Sequence, residues 1–207
     1  MSRSKFSKTG LSLALGIVVG ASLALLFSAA CQKGNKTETG AASDAASPRK
    51  SSANFDTWIT YTAEEGGFSI FTPQSFDKTT SSTPTEAGDI QMTQYIAQPN
   101  FRHIYIIVFS DMPEALITGN AQEQMRGARE GIINQFQGTI TQEKDITLDG
   151  NSGLETTMTG SSQGMNVTLK VRFYLVKNRL FQVYALSERG YEDPAAMDKY
   201  LDSFKLK

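Results

Sequence analysis

The chain has 207 residues, 40% apolar and 20% charged, which fits one globular domain with extensions. Its first thirty residues hold Arg3, Lys5 and Lys8 and no acid, so the remainder carries 17 basic against 21 acidic residues, a net of -4. That balance argues against nucleic acid as a partner, because phosphate binding needs a basic surface. The only cysteine is Cys31 and the only histidine is His103, which excludes an intrachain disulfide and gives no basis for a zinc site.

In chain order, Arg3, Lys5 and Lys8 form a basic flank, residues 11–27 an apolar run, and Ser28, Ala29 and Ala30 a small-residue segment just before Cys31. This arrangement resembles the lipobox of bacterial lipoproteins, in which the thiol takes a diacylglyceryl group and becomes the new N-terminus. Ser28 stands where that motif usually has Leu. Cleavage after the small residues without lipidation is a second reading, and an uncleaved anchor over residues 10–30, long enough to cross about 30 Å of hydrocarbon, is a third. Lipid attachment at Cys31 is the expectation adopted, with residues 1–31 as signal segment. All three readings place the folded part of the chain outside the cytoplasm, since the positive flank stays inside, and with lipid on Cys31 it is membrane-anchored at the cell envelope.

Residues 32–54 are rich in Gly, Ser, Thr, Ala and Lys, without apolar periodicity. They read as a tether with a reach of about 25–30 Å by the flexible-chain rule. The folded domain is expected over residues 55–207. Strands are expected at 57–61 and 68–72, the second ended by Pro73. Residues 74–88, with Thr and Ser in series, read as a loop. Residues 90–97 form a strand. Residues 103–110 form a stronger one, apolar on both faces and therefore central in a sheet covered on both sides.

Asn120 with Glu123 three residues on predicts a capped helix in which Met125, Ala128, Ile132 and Phe136 recur at helical spacing, closed by Gly138. Gly127 and Gly131, one turn apart, suggest a close approach of this helix to the sheet or, less readily, to a partner helix. Strands come next at 139–148, ending in the hairpin signal Asp149-Gly150, and at 154–159. Beyond them lies the hairpin 166–188. On its first arm Val167, Leu169, Val171, Phe173 and Leu175 share a face. A two-residue turn would set Phe173 opposite Gln182. A three-residue loop pairs Phe173 with Val183, keeping one face apolar, with Asn178 or Arg179 in the left-handed position. Asp193 and Pro194 open a last short helix carrying Met197, Tyr200 and Leu201.

Antiparallel strands with one helix between them and one after predict an α+β fold, a single antiparallel β-sheet flanked by helices. The ordered segments Gly67-Phe68-Ser69-Ile70-Phe71-Thr72-Pro73, Ile146-Thr147-Leu148-Asp149-Gly150, Arg172-Phe173-Tyr174-Leu175-Val176, Leu180-Phe181-Gln182-Val183 and Leu201-Asp202-Ser203-Phe204-Lys205-Leu206 resemble the PsbP-like α/β/α sandwich and bacterial DcrB-type lipoproteins of that fold. The resemblance implies a largely non-enzymatic protein that associates with a membrane complex. No motif carries a family functional site across.

The reactive patterns are sparse. Gly160-Ser161-Ser162-Gln163-Gly164 matches G-x-S-x-G, but it lies between strands rather than at a strand-to-helix elbow, and His103 precedes it, so a catalytic Ser162 is not expected. Residues 145–153 are acidic and Gly-rich without calcium-loop spacing. His103 with Asp111 and Glu114 is at most a weak carboxylate grouping. Lys170 and Arg172, placed beside Tyr174 and Tyr184 on the less apolar face of the hairpin, are either snorkelling cations or a contact for an anionic ligand or acidic partner. The expectation is therefore a tethered, non-catalytic binding or assembly module with no cofactor or metal, docked on a membrane or envelope protein complex. The alternative is a small-ligand carrier or sensor with a pocket between sheet and helix lined by Tyr174, Tyr184 and Arg172.

Overall fold

A computed structural model describes residues 54–117, 119–162 and 164–207. The expected signal segment, Cys31 and the expected tether up to residue 53 lie outside the described residues. In chain order the strands are β1 (Ile59–Ala63), β2 (Phe68–Thr72), β3 (Asp77–Thr85), β4 (Gly88–Asn100) and β5 (His103–Asp111). After helix α1 (Ala121–Phe136) come β6 (Thr139–Leu148), β7 (Asn151–Ser162), β8 (Met165–Val176) and β9 (Arg179–Glu188), then α2 (Pro194–Asp202) and β10 (Lys205–Leu206). Seven strands form an antiparallel sheet in the order β3-β4-β5-β9-β8-β7-β6, and a separate small sheet runs β1-β2-β10. The α+β expectation holds, but the expected single sheet is two. β1 and β2 do not pair with the main sheet, and Phe68 and Ile70 are buried against one of its faces.

Each face of the main sheet has its own core. On one side Met125, Ala128, Ile132 and Phe136 of α1 cover Val167, Leu169, Val171 and Phe173 of β8, with Ile104, Ile106 and Val108 of β5. On the other, α2 and the small sheet enclose Tyr105, Ile107, Tyr174, Phe181 and Val183. Burial of large apolar side chains at about 1.5–3 kcal/mol each holds these layers together. β5 is buried along seven consecutive residues, as a strand apolar on both faces requires. Asn120 caps α1, its Oδ1 accepting from Glu123 N at 2.9 Å. The helix ends one residue before the expected Gly138, with Gln137 in the left-handed region at φ 49°. Asp193 caps α2, accepting from Ala196 N at 3.1 Å.

Residues 74–88 are not the loop expected. All nine residues of β3 pair with β4, from Asp77 opposite Ile96 to Thr85 opposite Gly88. β3 is an edge strand exposed on both sides, so it shows no apolar alternation. Its Thr residues suit an extended backbone, and Pro84 is tolerated at an edge.

The β8–β9 hairpin also departs from the expected register. Val176 pairs with Arg179 and Phe173 with Gln182, so Lys177-Asn178 is a two-residue turn, and Lys177 takes the left-handed conformation at φ 56°. The three-residue loop assumed that mixing faces would expose apolar groups. Both faces are covered, so that cost does not arise. Gln182 faces the α1 core fully buried, and the Tyr184 hydroxyl donates to its Oε1. Asn178 is occupied elsewhere: its carbonyl accepts from Met112 N at 2.9 Å and its Nδ2 donates to Met112 O at 3.3 Å, tying the turn to the chain leaving β5.

Candidate functional site

The face of the sheet under α2 gathers six charged side chains. Register sets Lys144 of β6, Glu155 of β7 and Arg172 of β8 in one row, with Lys170 one alternation away on β8. Glu155, 5% exposed, lies at the centre. Arg172 Nε donates to Glu155 Oε2 at 2.6 Å, while Lys144 Nζ and Lys170 Nζ lie 3.1 and 3.5 Å from Oε1. From α2, Asp198 accepts from Lys170 at 2.6 Å and Asp202 from Arg172 at 2.6 Å. Burial alone would push the Glu155 carboxyl up. The hydrogen bond and charge of Arg172, helped by Lys144 and Lys170, outweigh it and hold the group below the usual carboxylate range. Burial likewise works against the Lys170 cation, and Asp198 and Glu155 reverse it to a raised value.

Of the four residues singled out for ligand or partner contact, three share this face. Tyr174 stacks on Phe204 at 5.8 Å between ring centroids and 6° between planes. Tyr184 does not join them. The two-residue turn puts it on the α1 side of the sheet, fully buried. Lys170 and Arg172 both spend their charge on carboxylates of the same domain. An anionic ligand there would have to displace Asp198, Asp202 or Glu155. The network fastens α2 to the sheet. An open groove of about 350 Å³ does lie beside α2, lined by residues including Ser69, Phe71, Lys199, Asp202 and Lys205. Its lining contains none of Lys170, Arg172, Tyr174 and Tyr184.

The other patterns resolve into structure. Ser162 pairs with Met165 across the β7–β8 turn, away from any strand-to-helix elbow. His103 and Asp111 occupy opposite ends of β5, so they share no site, and Asp111 instead accepts from Arg179 Nε at 2.6 Å. The two ring nitrogens of His103 lie 3.1 Å from Asn100 Oδ1 and 2.8 Å from the Tyr191 carbonyl oxygen. His103 thereby ties the β4–β5 turn to the segment before α2. Among the described residues no group of three or more His, Cys, Asp or Glu side chains could hold a metal ion. No helix among them is long and apolar enough to cross a membrane.

No protein-family model and no curated protein matches the chain. Solved structures do. The solution structure of cyanobacterial PsbP (CyanoP) from Synechocystis sp. PCC 6803 is similar with a TM-score of 0.50 at 10% identity, over 81% of this chain and 98% of that one. The fold is PsbP-like. LpqN of Mycobacterium tuberculosis, described as involved in cell envelope biogenesis, is similar more loosely, at a TM-score of 0.40 and 13% identity over 65% of this chain and 86% of that one. The type VI secretion immunity protein TplEi of Pseudomonas aeruginosa, in complex with a peptide, gives 0.37 and 11% over 72% and 54%.

Sequence reasoning missed several residues of this PsbP-like domain. Glu155, the hub of the charge network, sits in an alternating strand like any polar residue. Only its register between Lys144 and Arg172 marks it. Phe101 and Tyr191 lie in connections, outside any periodic pattern. Their signal was present, since a large aromatic in a polar turn has no core to fill.

Proposed function

We propose that the protein is a membrane-tethered extracytoplasmic module that docks on or stabilises a membrane or envelope protein complex and performs no catalysis. The observation that carries this reading is the order of parts in the chain: a basic flank, an apolar run, a lone Cys31 and a polar stretch lead into a compact domain of PsbP-like fold. The pairing of Lys170, Arg172 and Glu155 with one another and with α2 supports it, since these charges serve the domain's own packing and present no reactive grouping. Lipid on Cys31 is the proposed attachment.

The test has two parts. Intact-mass analysis of membrane-extracted protein should give a chain beginning at Cys31 with added diacylglyceryl, and Cys31→Ser should release the domain from the membrane. An unmodified chain starting at Cys31, or an uncleaved chain starting at Met1, rules out the lipid anchor. Cross-linking of the full chain in native membranes should then enrich a defined membrane or envelope protein. The same products with and without cross-linker count against docking.

A further inference from the structure

Among the described residues three large apolar side chains are exposed: Ile59 at 42%, Phe101 at 64% and Tyr191 at 45%. Single exposed apolar residues are ordinary, but a shared location is not. These three are distant in sequence, and the topology gathers them at one end of the domain. Phe101 occupies the β4–β5 turn, whose backbone is pinned by Asn100 Oδ1 accepting from Arg102 N at 2.9 Å and His103 N at 3.0 Å. Tyr191 stands in the β9–α2 connection, joined to the same turn through His103. Arg102 lies between the two rings, its guanidinium carbon 3.6 Å from the Tyr191 centroid and 4.8 Å from that of Phe101. Ile59 opens β1 next to Trp58, whose ring packs 5.6 Å from Tyr105, two residues beyond His103 on β5. The chain enters the domain at this same end, at the 3-10 turn Phe55–Thr57.

We infer that this end of the domain seats on the lipid surface, with Phe101, Tyr191 and Ile59 in the boundary between headgroups and acyl chains. The inference rests on the tethered reading above. A polar tether with a reach of about 25–30 Å holds the first folded residue close to the bilayer, and the end where the chain enters touches lipid with the least extension of that tether. Phe and Tyr suit this boundary, where an apolar ring enters and a polar group stays wet. Arg102 is balanced by Glu188, 3.3 Å away, so the seat is apolar in character and needs no anionic lipid.

Trp58, the only tryptophan in the chain, is a native reporter at this end. The full chain would be reconstituted into phosphatidylcholine vesicles whose lipids carry bromine high on the acyl chains. Bromine should quench Trp58 emission. The quenching should fall by about twofold or more in Phe101→Ser/Tyr191→Ser, and in Ile59→Ser as an independent variant, with melting temperatures matching the parent. Adding anionic lipid should leave it unchanged. A chain that floats with the vesicles while Trp58 is unquenched overturns the seat and leaves the tether standing. Protection of this end that appears only in native membranes, and not in protein-free vesicles, also overturns the seat, by making a protein its occupant. A chain that does not float with the vesicles defeats both readings.

Discussion

Phe173 is fully buried mid-strand between α1 and its neighbours on β7 and β9, so Phe173→Ala should cost about 3–5 kcal/mol through lost burial and the cavity left behind. Thr168, on the opposite face of the same strand, donates from Oγ1 to Glu192 Oε1 at 2.6 Å at a half-buried site, so Thr168→Ala should cost about 1 kcal/mol. Urea unfolding of the two variants side by side checks the contrast, and equal small losses would mean that Phe173 does not fill the core under α1. Lys177 tests the turn. A side chain held at φ 56° is strained where glycine is not, so Lys177→Gly should stabilise the domain by about 0.5–1 kcal/mol. With a three-residue loop instead, that substitution would bring no gain. Gly160 tests the seat of α1. A Cβ there would come within 2.5 Å of the Phe136 carbonyl oxygen, and Gly160→Ala should therefore destabilise by about 1–3 kcal/mol.

At the scale of elements, α2 is held by apolar packing of Met197, Tyr200 and Leu201 and by the carboxylates Asp198 and Asp202 reaching Lys170 and Arg172. Ser203 extends that grip, accepting at Oγ from Phe71 N at 2.8 Å, so the end of the helix satisfies a backbone group of β2 that β10 is too short to reach. Glu155→Gln should cost about 2–4 kcal/mol, somewhat under the loss expected for a fully buried pair, because Arg172 and Lys170 keep their partners on α2. The shifts also set a pH dependence. The Glu155 carboxyl is depressed on folding, so its stabilisation is present above the unfolded value of about 4.3 and is lost as pH falls through the lower folded value. Lys170 is raised, so its contribution is complete below the unfolded value of about 10.4 and is lost only as pH rises through a higher one. Acid titration of the unfolding free energy should show a limb below about pH 4.3 that flattens in Glu155→Gln. An unchanged limb in that variant would take Glu155 out of the account.

At the scale of the molecule, one sheet separates two cores, and its central strands β5 and β9 contribute to both. Local opening should therefore be rarest there and easiest at the edges β3 and β6, which are largely exposed. Hydrogen exchange should find the slowest amides between Ile104 and Ser110 and between Leu180 and Ser187, with β3 exchanging faster by orders of magnitude. Equal protection of edge and centre would contradict the arrangement. The exposed aromatics Phe101 and Tyr191 stand beside the Arg102–Glu188 pair at the end where the chain enters, and the Asp111–Arg179 pair lies at the opposite end of β5.

By itself the sequence determined what depends on neighbours along the chain. A continuous apolar run marked β5, alternation marked β8, the Asn120–Glu123 and Asp193–Pro194 caps marked the two helices, and the order of these elements sufficed for an α+β fold, with the PsbP-like type resting on the resemblance of short segments. Only the tertiary structure decided what depends on a second segment of chain. β3 exists because β4 offers it a ladder, which no periodicity of its own announces. Phe173 faces Gln182 because both sides of the sheet are covered, which removes the penalty that would have chosen another register. For the same reason Tyr184 parts from Lys170 and Arg172, since a shift of one residue in pairing carries a side chain through the sheet to the opposite core.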